Sequence, residues 1–173
     1  MIEINDIETG DNLLVSSNSW IAKIIKKFQK NKWNHSAMFW RAYDELFVIE
    51  ADKHGIAITP FIDYINSNKD LLILKTKFYV DGSEYGKFML PFVGHHPYGF
   101  FNLVIAQSIR ILTSNRIWIG PNRKKDPKRF ICGEWTAYVY EHFNEGIFPN
   151  WNRIAPVDIY NSIDFIHYDF IKK

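Results

Sequence analysis

Apolar residues recur along this chain with two periods, and the switches between them outline a mixed architecture. Asn12 to Ser16 reads as a short strand. From about residue 18 to 30, Trp20, Ile21, Ile24, Ile25 and Phe28 fall on one helical stripe, with Ser17 or Asn18 placed to cap it. Two apolar runs, Trp33 to Trp40 and Glu45 to Ala51, flank the polar break Arg41-Ala42-Tyr43-Asp44, the pattern of a β-hairpin. A strand from Gly55 to Ile58 follows. Thr59-Pro60 then opens a short helix reaching about Asn66, with proline in the first turn, where its missing N–H costs nothing. Leu71 to Lys77 reads as a strand, and residues from about 98 to 113 as a buried helix, because they are apolar all round. Gly120 to Arg129, with two prolines, is the clearest long loop. A helix from Cys132 to about Asn144 and a closing strand over 163–170 complete the layout. No repeat, low-complexity segment or interdomain linker interrupts it, so residues 1–173 are expected to form one domain.

The chemistry begins with the only cysteine. After Gly133, apolar residues recur at Trp135, Tyr138, Val139 and Phe143 on one face of a helix, so Cys132 belongs to its first turn. The partial positive charge of a helix N-terminus favours thiolate over thiol. Such a position can lower a cysteine pKa from ~8.5 to between ~3.5 and ~7.5. The competing reading is a small buried hydrophobe.

The hairpin supplies partners. With a four-residue loop at 41–44, residue 40 faces 45 and residue 35 faces 50. His35 and Glu50 would then lie directly opposite, with Cβ atoms about 5 Å apart. A carboxylate beside an imidazole fixes its tautomer and stabilises the imidazolium, as the third member of a catalytic triad does. A one-residue slip would put them on opposite faces. In the structural alternative, His35 is a strand-end histidine and Glu50 an exposed glutamate.

The order of these residues (histidine, acid on the next strand, cysteine at a helix start) resembles the circularly permuted, YiiX-like branch of the NlpC-type papain-like cysteine peptidases and amidases. Gly10-Asp11-Asn12-Leu13-Leu14-Val15 resembles the family's opening strand, Asn34-His35-Ser36-Ala37-Met38 its histidine strand, and Val48-Ile49-Glu50-Ala51 the strand of the third polar residue. Pro97-Tyr98-Gly99-Phe100, Phe130-Ile131-Cys132-Gly133-Glu134 and Ala155-Pro156-Val157-Asp158-Ile159 resemble the later segments in the same order. The chain departs from the pattern at Gly99, where a polar residue is common. It departs again at Gly133-Glu134, which replace small serine-type residues; both bear on substrate contacts more than on the chemistry. The resemblance implies an α+β, circularly permuted papain-like (NlpC-type) fold, an antiparallel sheet or barrel packed against helices. It implies a thiol hydrolase with Cys132 as nucleophile, His35 as base and Glu50 as orienter. The expected substrate is a peptide, an amino-acid amide or a lipid acyl group, and no cofactor is expected. Tyr98 and Trp135 are candidate groove-lining residues, with a core position as the alternative. Asn34 has suitable chemistry for a second oxyanion donor, but strand neighbours point to opposite faces. A binding module without turnover is the competing class.

Composition narrows the field. Apolar content of 47% and aromatic content of 17% indicate a packed globule. A formal net charge of +2 is too mild to imply nucleic acid, and no zinc-finger, helix-turn-helix or RNA-binding pattern is present. Lys23, Lys26, Lys27 and Lys30 share a helical face, and Arg123 to Arg129 form a basic run; both read first as solvated surface. Histidines at 35, 54, 95, 96, 142 and 167 form no ligand pair at helical spacing, so no metal site is expected. One cysteine excludes an internal disulfide. No apolar run is long enough to span a bilayer. The first residues lack a signal-peptide pattern, so a cytoplasmic location is expected for a complete chain, and an exported one if a signal was removed. The sequence does not specify an oligomeric state.

Overall fold

The computed structural model describes residues 2–66, 70–95, 109, 113, 130–144 and 146–170. Six strands form one sheet: β1 (Asn12–Ser16), β2 (His35–Ala42), β3 (Glu45–Asp52), β4 (Gly55–Pro60), β5 (Asp70–Thr76) and β6 (Phe165–Asp169). Their spatial order is β4-β3-β2-β1-β5-β6, and every neighbouring pair is antiparallel. The helices are α1 (Trp20–Gln29), α2 (Phe61–Ile65), α3 (Gly82–Met89), α4 (Cys132–Phe143) and α5 (Pro156–Tyr160). This is the expected mixed architecture of an antiparallel sheet against helices. The helix read over 98–113 falls outside the described residues apart from Ile109 and Thr113, and so does the loop read over 120–129.

Strand alternation divides the core in two. Leu14, Met38, Ile49, Ala51, Leu72 and Leu74 pack on one face with Trp135, Val139 and Tyr140 of α4. Leu13, Val15, Ala37, Phe39, Leu46, Val48 and Ile73 pack on the other with Phe61 and Tyr64 of α2. Both faces are therefore covered near the middle of the sheet, which explains why β1 is apolar almost without a break and buried throughout.

The hairpin departs from the expected loop. Tyr43 and Asp44 have φ of 53° and 64°, so two left-handed residues make the turn, and Ala42 pairs with Glu45. Met38 therefore pairs with Ile49, a shift of two residues from the four-residue-loop register. A shift of two preserves the face of every side chain. Continued toward the strand ends, this register sets Glu50 diagonal to His35 rather than opposite it.

Two further features differ from expectation. Ser19, not Ser17 or Asn18, caps α1, its Oγ accepting from the Ala22 N–H at 3.1 Å. The helix α3 was not expected at all. Its start is set by Asp81, whose carboxylate accepts from the N–H groups of Ser83 and Glu84. It docks on β2 through Trp40, which donates to the Gly82 carbonyl at 2.9 Å. Gly86 is required there, because a Cβ would sit 2.7 Å from the Trp40 ring.

Candidate active site

Cys132 is the first residue of α4, entered from an extended Ile131 (φ −103°). Glu134, three residues after Ile131, accepts from its N–H at 3.2 Å and so holds the helix start. Gly133 allows residues 154 and 155 to pass against this turn: a Cβ would lie 2.5 Å from the Ile154 carbonyl oxygen and 2.9 Å from the Ala155 Cα. The departure from serine-type residues after the cysteine thus has a packing cause. One turn further on, the Oγ1 of Thr136 meets the Oγ of Ser36 at 3.1 Å, a buried polar pair that ties α4 to β2 beside His35.

His35 is the first residue of β2. The preceding residue fixes its approach. Asn34 donates its N–H to the Val15 carbonyl at 3.1 Å, and its side-chain carbonyl accepts from the Ser17 N–H at 2.8 Å. Its amide nitrogen donates to the Ser17 Oγ at 3.2 Å, so Asn34 braces the strand entry. His35 Nε2 hydrogen-bonds Glu50 Oε2. Diagonal cross-strand neighbours stand farther apart than direct ones, yet long side chains bridge the gap. The same Oε2 accepts from the Tyr64 hydroxyl at 2.8 Å. Tyr64 comes from α2, and nothing in the local sequence pattern pointed to it.

The electrostatics favour an ion pair. Burial opposes charge on His35, but the negative charges of Cys132 and Glu50, with hydrogen bonds donated to both, raise its pKa from 6.5 to about 10. Burial also works against a thiolate at Cys132. The His35 charge and hydrogen bond, together with the backbone N–H groups of Ser36 and Gly133, outweigh it and bring the thiol below its ordinary value of 9.0. The side chains of His35 and Glu50 are 20% and 13% exposed. Cys132 is fully buried. The three residues proposed from the sequence are therefore together, with Cys132 as the least accessible member.

No protein-family model matches this chain, and no curated protein matches its sequence. Among solved structures, one described as the metalloprotein YiiX from Escherichia coli O157:H7, DUF1105, superposes with a TM-score of 0.66. The superposition covers 94% of this chain and 96% of that one, at 14% sequence identity. The chain has a YiiX-like fold.

At that identity the likeness to YiiX is one of fold. Among the described residues, no group of three or more His, Cys, Asp or Glu side chains is placed to hold a metal ion. Cys132 and His35 bond each other, and the Glu50 oxygen facing them is shared by His35 and Tyr64. His142 lies flat on Phe88 with ring centroids 3.8 Å apart, and His167 packs on Tyr160.

The groove-lining candidates separate. Trp135 is fully buried among Phe92, Phe130 and Tyr138, so it takes the core position and lines no groove. The helical period that placed it on the inner face also placed it too deep to reach a ligand. Tyr98 lies outside the described residues, as does the Arg123 to Arg129 run. Lys23, Lys27 and Lys30 are exposed on α1, as a solvated face requires. No helix among the described residues is long and apolar enough to cross a membrane.

Proposed function

We propose that this protein is a cysteine hydrolase of the permuted papain-like type, cleaving an amide bond of a peptide or amino-acid conjugate. The observation that carries the reading is the continuous chain Cys132–His35–Glu50, in which the histidine is raised toward its charged form while the thiol is lowered toward thiolate. A core cysteine needs no such partner.

The thiolate of Cys132 attacks the substrate carbonyl carbon, and the carbonyl π electrons move to oxygen. The backbone N–H of Cys132, at the start of α4, donates to that oxyanion, since the charge develops only in the transition state. The intermediate collapses with cleavage of the C–N bond. His35 gives its proton to the departing amine, which leaves neutral, and a thioester remains on Cys132. Neutral His35 then takes a proton from water as the water attacks the thioester. Carboxylic acid is released, and the imidazolium–thiolate pair is restored. Glu50 holds the Nε2 of His35 throughout, so in this scheme Nδ1 is the nitrogen that exchanges the proton. His35 is the accessible member of the pair, so substrate approaches from its side.

The full burial of Cys132 favours one second reading, a module that binds peptide or lipid without turnover. Incubation with a panel of dipeptide and amino-acid anilides, and with phosphatidylcholine vesicles, separates the possibilities. Amine release by wild type and none by Cys132→Ala supports the amidase. Fatty-acid release alone reassigns the same triad to lipid acyl transfer or hydrolysis. Saturable binding unchanged in Cys132→Ala, with no product from wild type, makes the protein a binding module.

A further inference from the structure

We infer that Tyr64 is a positioning residue of the thiol–imidazole site, its buried hydroxyl aiming the Glu50 carboxylate at His35. The inference rests on the proposed thiol-hydrolase reading and extends it to a fourth side chain from a separate element. Three observations carry it. The Tyr64 hydroxyl donates at 2.8 Å to Oε2 of Glu50, the same oxygen that meets His35 Nε2. Tyr64 is 5% exposed and packed in the cluster of Phe61, Val48 and Ala37, so its ring cannot swing away without opening that core. Glu50 is itself only 13% exposed, so bulk water does little to replace a lost donor.

The geometry matters because a glutamate has three rotatable torsions and two equivalent oxygens. His35 lies diagonal to Glu50 across β2 and β3, at the edge of side-chain reach. An oxygen pinned from the α2 side can serve the imidazole with little loss of freedom when the bond forms. An unpinned one must be ordered each time, and ordering costs entropy. The tyrosine is suited to the task because it remains a donor. Burial, the charges of Glu50, Cys132 and Asp52, and the hydrogen bond to Glu50 all raise its pKa from the ordinary value of 10.0, so the phenol stays protonated throughout the working range. The groups facing this network are His35 from β2, Glu50 and Asp52 from β3, and Cys132 from α4. Removing the hydroxyl leaves the carboxylate with one donor fewer, weakens its hold on the imidazolium, and so weakens support for the thiolate.

Phe fills the same space as Tyr, which makes Tyr64→Phe the informative variant. Because the chain has a single cysteine, the difference in ultraviolet absorbance between each protein and its own Cys132→Ser counterpart cancels the tyrosine background, reports the Cys132 thiolate, and needs no reagent to enter the buried site. Thiolate absorbance is titrated in wild type, Tyr64→Phe, Glu50→Gln, the double variant and His35→Ala. The expected result is an upward shift of the thiolate midpoint by about one pH unit in Tyr64→Phe, the size of one hydrogen bond to a charged group. A larger shift is expected in Glu50→Gln, with little further change in the double variant. A thermal melt of Tyr64→Phe confirms the folded state over the titrated range. A midpoint unchanged in Tyr64→Phe while His35→Ala shifts it overturns this inference and leaves the hydrolase reading intact. Additive shifts in the double variant also overturn it, because Tyr64 would then act by a route other than Glu50. A midpoint that ignores His35 as well removes the activated pair, and with it both the reading and the inference.

Discussion

The two faces of the sheet are built from different materials. On the α4 side, Phe92, Phe130, Trp135, Tyr138 and Trp151 make a continuous aromatic cluster. On the α2 side, an aliphatic and aromatic layer ends at the polar chain His35–Glu50–Tyr64. The first face holds α4 rigidly; each large aromatic buried there removes about 150–250 Å² from water. The second face holds His35, Glu50 and Tyr64. Cys132 belongs to the helix of one face, while His35 shares by alternation the face of Ala37 and Phe39. They meet because each is the first residue of its element, so the junction lies at the sheet's end rather than through it. The meeting of Cys132 and His35 depends on the relative placement of two packed layers, and three contacts bear on it: Gly133 against residues 154 and 155, Ser36 with Thr136, and Asn34 with Ser17.

Gly133→Ala breaks this arrangement most directly. The added methyl meets the backbone of Ile154 and Ala155, which cannot rotate away as a side chain could. A loss of about 1–3 kcal/mol is expected from overpacking, read as a lower denaturation midpoint with an unchanged slope. The thiolate should be lost with it, because the start of α4 must lift from β2. If stability falls and the thiolate remains, residues 154 and 155 do not position Cys132.

The ion pair itself has a pH signature, read as the difference in unfolding free energy between wild type and Cys132→Ser. The raised His35 contributes stability below its unfolded value of 6.5 and loses it as pH climbs through about 10. The lowered Cys132 contributes above its unfolded value of 9.0 and loses it as pH falls through its depressed folded value. From the higher of 6.5 and the depressed Cys132 value up to about 9, the folded pair and the unfolded pair hold the same number of protons, so the difference should be flat. It should fall on both sides, with a slope of at most about 1.4 kcal/mol per pH unit. A monotonic curve would mean that thiol and imidazole titrate independently.

The smallest effect sharpens the comparison. Ser36→Ala leaves a buried Thr136 hydroxyl with one partner fewer and should cost about 0.5–1.5 kcal/mol, the net worth of one hydrogen bond. Ser36→Ala with Thr136→Val should recover most of that stability, because neither face then carries a stranded polar group. If the double variant is no better than the single one, the hydroxyl pair is not what joins β2 to α4.

Much of the site was legible because strand and helix periods are local. Alternation alone placed His35 and Glu50 on one face, and this survived a two-residue error in register. The error came from the turn: Tyr43-Asp44 lacks the glycine that marks most two-residue hairpins, yet both residues adopt positive φ. The helix α3 went unread although Asp81 precedes it as a capping residue, because Gly82 and Gly86 weaken helix propensity and the helix is held by Trp40 from another element. Trp135 was ambiguous because helical spacing gives direction without depth.

The sequence by itself determined which residues can carry chemistry, where the elements begin, and which strand face each side chain takes. These follow from residue type and from backbone periods of two and 3.6. Only the tertiary structure decided that Cys132 is fully buried beside His35, that Trp135 is core, and that Tyr64 reaches Glu50. The reason is physical: burial and contact between distant elements arise from layers packing together, and no local period encodes how deep a side chain sits or which element folds back over it.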